Sequence, residues 1–186
     1  KDYFNKLKGE KKHRDSLLNK SLQIPSEKID NYVFRNKGDL TFERANEYWG
    51  IEHKGFSNGA VYVDLDNDGD LEIVTNNIDE SVTLFENKSS ETNNHITIKF
   101  KGPKKNGFGL GTKLKIKTKN TSQSQELTMS RGFQSSVAPQ LHFGLGRANV
   151  IEELEVIWPD GKFQQLDDIA INQTITLDYK DAIIKN

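Results

Sequence analysis

The chain opens with apolar residues spaced loosely at helical intervals, then changes to short alternating segments for the rest of its length. In the stretch from Asp2 to Leu22, Tyr3, Phe4, Leu7, Leu17, Leu18 and Leu22 recur at helix-like spacing, and Pro25 stops the pattern. This predicts a short N-terminal helix in a linker segment, 1–30. From residue 31 the texture becomes that of strands and turns. "YVFRNKGDLTFERA" reads as a hairpin turning at Lys37-Gly38-Asp39. "GAVYV" and "LEIVT" are two further strands, and "SVTLFENK" closes the unit. Beyond the polar, turn-rich "NKSSETNN" at 87–94, alternation resumes. Leu114 and Ile116 face one side of a strand, with Lys113, Lys115, Lys117 and Lys119 on the other. "VIEELEVIWPDGKFQQL" predicts two strands joined by a turn at Pro159-Asp160-Gly161, and "QTITLDY" one more. The expected fold is mainly β, with a first unit over 31–92 and an antiparallel β-sandwich over 93–186.

Charge sharpens that division. The formal net charge of the 186 residues is −1, which conceals strong segregation. Residues 29–94 carry 5 basic and 14 acidic groups, whereas 95–147 carry 10 basic and 1 acidic. The acidic flanks make a nucleic-acid partner a poor fit for the lysine face, which reads as a solvated sheet surface. Without cysteine the chain has no disulfide framework and no thiolate metal site. No apolar run reaches the ~18 residues of a membrane span.

The acids concentrate between the strands "GAVYV" and "LEIVT". Asp64, Asp66, Asp68, Asp70 and Glu72 fall two residues apart, with Gly69 where a tight loop needs an unusual backbone angle. Like charges so placed repel unless a cation sits among them. Alternating aspartates on a tight loop supply the 6–8 oxygens that calcium takes, whereas magnesium retains more of its water. An EF-hand would need a bidentate glutamate at the twelfth position, occupied here by Thr75, and helices on both sides. The loop is instead a nine-residue D-x-D-x-D-G-x-x-E bridge between strands. Its expected ligands for Ca2+ are the side chains of Asp64, Asp66, Asp68 and Glu72, with the carbonyl of Asp70 and water.

Other motifs yield ordinary readings. "GFGLG" at 107–111 lacks the G-x-G-x-x-G spacing and leads into a strand, so it is no phosphate loop. "RGFQSS" with His142 has no G-x-S-x-G elbow and no acid to orient a base. His13, His53, His95 and His142 show no metal-ligand spacing. Trp49 and Trp158 read as packing residues, not sugar platforms.

Two family resemblances follow. "NYVFRNKGDLTFERANEYWGI" with "GFSNGAVYVDLDNDGDLEIVTNN" resembles an FG-GAP/VCBS repeat, the blade unit of calcium-binding β-propellers; such repeats usually carry aspartate where Glu72 stands. Phe34-Arg35-Asn36-Lys37 and Phe85-Glu86-Asn87-Lys88 echo each other at a spacing that suits blades. "NHITIKFKG", "GLGTKLKI", "RGFQSSVAPQLHFGLG" and "LEVIWPDGKFQQLDDIAINQTITL" resemble, in order, the ASPIC/UnbV domain. That domain typically follows FG-GAP/VCBS repeats in proteins of the cartilage acidic protein type and in surface or secreted proteins of Bacteroidetes-type bacteria. The resemblance implies a non-enzymatic, extracellular, cell-surface or periplasmic module. Further N-terminal propeller blades would precede it, and its ligand would be a protein or a glycan. A purely structural cap on a propeller is the alternative, and a metal-dependent hydrolase a more distant one, because it would need an open coordination position and a general base.

Overall fold

The computed structural model describes residues 19–184. The expected N-terminal helix falls mostly outside them; 19–21 form a helical turn. Sixteen strands follow, in several small sheets with no closed barrel among the described residues.

The first unit is built from three separate sheets. β1 (Ile29–Asp30) pairs with β4 (Lys54–Gly55), so strand structure begins inside the segment expected to be a linker. β2 (Phe34–Asn36) and β3 (Phe42–Arg44) form the expected hairpin. A four-residue helix, α1 (Asn46–Trp49), follows and ends on Gly50 in the left-handed region. It is too short to have shown a helical period in the sequence. β5 (Ser57–Val63), β6 (Glu72–Asn77) and β7 (Thr83–Phe85) make an antiparallel meander, and the acidic loop joins β5 to β6.

The second unit contains two larger sheets. β8 (Asn94–Lys101) is the centre of a three-stranded sheet between β13 (Gln140–Gly146) and β16 (Gln173–Asp178). β9 (Lys113–Lys117) lies between β10 (Ser122–Glu126) and β14 (Ile151–Ile157), with β15 (Phe163–Ile169) outermost. Alternation sends Ile96, Ile98 and Phe100 of β8 and Leu114 and Ile116 of β9 into one apolar cluster. Leu141, Phe143, Leu154, Val156 and Trp158 belong to the same cluster. Trp158 is buried, with its edge against Phe100 at 5.9 Å between ring centroids and its Nε1 donating to Gln164 Oε1 at 2.9 Å. Trp49, by contrast, is half exposed.

The expectation of a purely antiparallel unit is corrected here. β16 runs parallel to β8, from Gln173 opposite Ile96 to Asp178 opposite Lys101. Alternation in a single strand carries no information about direction, so the sequence could not show it.

Two of the glycine- and serine-rich motifs have structural roles. Gly109, at φ +67°, packs its backbone against Phe100 and Trp158; a Cβ there would stand 3.0 and 3.1 Å from their atoms. In "RGFQSS", β11 (Ser130–Gly132) and β12 (Ser135–Ser136) form a small hairpin lying against β5. Arg131 Nε donates to the Tyr62 hydroxyl at 2.7 Å, and Ser135 Oγ donates to the Phe133 carbonyl. The hairpin thereby ties the second unit to the first.

The lysine face is not a bare cationic surface. In register, Lys113 stands opposite Glu126, Lys115 opposite Glu155, and Lys117 opposite Glu153. Lys113 Nζ lies 3.8 Å from Glu126 Oε2. Cross-strand carboxylates of this kind offset the charge of Lys113, Lys115 and Lys117, while Lys119 lies past the end of β9.

Candidate metal centre

The loop between β5 and β6 turns because aspartate side chains mimic backbone. The Asp68 amide donates to Asp66 Oδ1 at 3.2 Å, and the Asp70 amide donates to Asp68 Oδ1 at 3.0 Å. Gly69 follows at φ +93°, which a side chain would strain. The turn brings Asp64, Asp66 and Glu72 together, with one carboxylate oxygen of each within 4.8 Å of the others.

Glu72 is 4% exposed, and Asp66 faces solvent. Glu72 Oε2 accepts from the Leu65 amide at 2.9 Å. Glu72 Oε1 and Asp64 Oδ1 are buried and find no hydrogen-bond donor among the described residues. Unit charges this close repel by roughly 3 kcal/mol per pair at an effective dielectric near 20, and less for the exposed Asp66. Backbone amides that donate to these carboxylates contribute about 1.5–3 kcal/mol each, yet they leave Glu72 Oε1 and Asp64 Oδ1 without a donor among the described residues. Three carboxylates brought this close form a group that could hold a metal ion.

Asp68 and Asp70 stand apart from this trio. Their carboxylates turn to the segment that leads out of the first unit. Ser90 Oγ donates to Asp68 Oδ2 at 2.7 Å, and the Ser90 amide donates to Asp70 Oδ2 at 2.9 Å. The Ser90 hydroxyl, then the Asp70 amide and more weakly Asp66 and His95, hold the Asp68 carboxyl below its usual range. Asp70 is 3% exposed, and its Oδ1 is likewise buried with no donor among the described residues. Ser90 lies more than twenty residues downstream of Asp68, beyond the reach of any local pattern.

Sequence reasoning also missed the floor of the site. Alternation in β8 that sends Ile96 and Ile98 inward sends His95 and Thr97 outward. On this outer face His95 stacks on His142, with centroids 5.7 Å apart and planes 16° from parallel. His142 Nδ1 lies 3.2 Å from Thr97 Oγ1. Burial and the neighbouring His95 hold the His142 pKa below its usual value, against an opposing pull from Asp64 and Asp70. A polar cleft of about 490 Å³ runs between the loop and this face, with Asn93, His95, Asn172 and Thr174 along its wall.

Comparison with known proteins bears on both units. Residues 102–184 match the ASPIC and UnbV family. The chain is also similar to cartilage acidic protein 1. It is 26% identical to the Mus musculus protein over 164 residues, which cover 86% of this chain and 23% of that protein. The Homo sapiens protein gives the same identity and coverage. The Xenopus tropicalis protein is 26% identical over 151 residues. The chain thus spans about a quarter of the length of the relatives it matches, and the similarity extends well beyond the family match.

Proposed function

We propose that this chain is a calcium-stabilised, non-enzymatic, extracytoplasmic binding or adhesion module, forming the C-terminal part of a larger propeller protein. The observation that carries the reading is the convergence of Asp64, Asp66 and Glu72, with buried oxygens on Asp64 and Glu72 that no hydrogen bond among the described residues satisfies. A bound calcium ion would supply the positive charge that closes the loop. Asp64, Asp66 and Glu72 would hold it, and the Asp70 carbonyl and water are the further ligands proposed. Asp68 would join by turning its carboxylate from Ser90 toward the other three.

Extracellular modules bind calcium at roughly 10⁻⁴–10⁻³ M, which suits a location outside the cytoplasm. Among the described residues, no helix is long and apolar enough to cross a membrane. Residues 31–92 are then an FG-GAP/VCBS-type repeat and 93–186 an ASPIC/UnbV-like β-sandwich. Phe34 and Phe42 on the hairpin, Tyr48 and Trp49 on α1, and Tyr32 just before β2 are exposed and suit contact with further blades or with a protein or glycan ligand. A non-enzymatic role accords with where the potential catalytic groups are directed. Ser135 donates to a backbone carbonyl and His142 pairs with Thr97.

The test is thermal unfolding of the intact chain in calcium and in chelator. Binding to the folded form alone adds about 2.7 kcal/mol at a hundredfold excess over Kd, worth several degrees in Tm for a chain of this size. Chelation is expected to lower Tm, calcium to restore it, and Asp66→Ala to abolish the difference. A melting curve indifferent to both additions would overturn the metal assignment.

A further inference from the structure

We propose that the loop from Asp64 to Glu72 is a latch, in which ion binding and the seating of the first unit on the second are one event. This rests on the metal reading above and adds the surface that the loop engages. The key is Gly69. The His95 imidazole lies flush on its backbone, and a Cβ at position 69 would fall on Cε1 and both ring nitrogens. Glycine is therefore required twice over, by the backbone angle of +93° and by the ring above it.

The seat is rigid because of what lies behind it. His95 and its stacking partner His142 project from β8 and β13, whose opposite faces hold the fully buried Ile96 and Phe143. The Asn172 side chain accepts from the His95 amide at 3.0 Å and pins that end of β8 to the turn before β16. On the other side, Ser90 ties the connecting segment to Asp68 and Asp70. Nine consecutive residues thus carry both the converging carboxylates and the contacts to the second unit.

The turn at 67–70 that brings residues 64, 66 and 72 together is the turn that places Gly69 under His95. An ion that favours this turn favours the seated state, and by linkage the seat must favour the ion to the same degree. Changing the seat therefore changes calcium affinity although no ligand is touched.

A double-mutant cycle on the full chain tests this, using Gly69→Ala, His95→Ala and the pair. Calcium binding is read by titration calorimetry, and seating by limited proteolysis within 87–94. Gly69→Ala strains the backbone in either background, so the cycle isolates the clash with the imidazole. The latch predicts that Gly69→Ala weakens calcium binding about tenfold more when His95 is present than when it is alanine. Cleavage within 87–94 should rise in both single variants, and calcium should suppress it in the wild type. Additive effects on affinity, with wild-type binding intact, would overturn the latch alone. Absence of calcium binding by the wild-type chain would overturn the metal reading and the latch with it.

Discussion

The two halves of the molecule are held together by different physics. Of the buried apolar side chains, fifteen lie in the second half, from Ile96 to Leu177, while only Ala45 and Ile51 lie among the described residues of the first. In the first half, polar groups take the interior positions. Asn46, 2% exposed, accepts from the Val33 amide and from Arg44 Nε, and donates to the carbonyls of Asn31 and Ile51. Asn77 likewise accepts from Ser57 Oγ and donates to the Ser81 carbonyl and Thr83 Oγ1. Burial of apolar surface is non-directional and tolerant, whereas a polar network holds only while every partner is in place. A half built in the second way depends on what closes it from outside. Here that means the neighbouring unit and, in our proposal, an ion.

The sharpest way to break the contrast is to attack each half through its own dominant force. Trp158→Ala removes the largest buried side chain of the apolar cluster and strands Gln164 Oε1, so a loss of about 3–5 kcal/mol is expected in denaturant unfolding. Asn46→Ala deletes less volume but leaves two carbonyls and an amide without their partner. It should cost roughly 2–3 kcal/mol, and the loss should appear first in near-ultraviolet signals of the adjacent Tyr48 and Trp49.

A charge-specific change should behave differently. Asp66→Asn retains an oxygen to accept from the Asp68 amide and removes one of three clustered charges. In chelator it should leave Tm unchanged or raise it by about 1 kcal/mol equivalent; in calcium it should melt below the wild type. A curve that shifts equally in both conditions would reduce Asp66 to an ordinary turn residue. The smallest effect is expected at Phe34→Ser. Because Phe34 is exposed, the change should stay within about 0.5 kcal/mol in unfolding of the intact chain. A larger loss would mean that the hairpin face is covered within the chain itself.

Much of this arrangement could be read from local pattern. The hairpin at 34–44, the strands flanking the acidic loop, the alternation of β9 and the Pro-Asp-Gly turn between β14 and β15 all depend on residues a few positions apart. So does the trio at 64, 66 and 72, whose spacing along one loop places the carboxylates together. What escaped depends on distant partners. The parallel pairing of β16, the glutamates opposite the lysines, and Ser90 drawing Asp68 and Asp70 aside are all set by tertiary register. His95 packs on the backbone of Gly69, a contact that no side-chain pattern records.

The most direct test of the closing role assigned to the ion is hydrogen–deuterium exchange on the intact chain, in calcium and in chelator. The amides of Leu65, Asp68 and Asp70 bond to carboxylates within the loop, and that of Ser90 bonds to Asp70. Calcium is predicted to slow exchange across 57–77 and 89–95. β9 and β14, inside the apolar half, should exchange alike in both conditions. Equal exchange of the loop with and without calcium, or protection spread evenly over both halves, would contradict it.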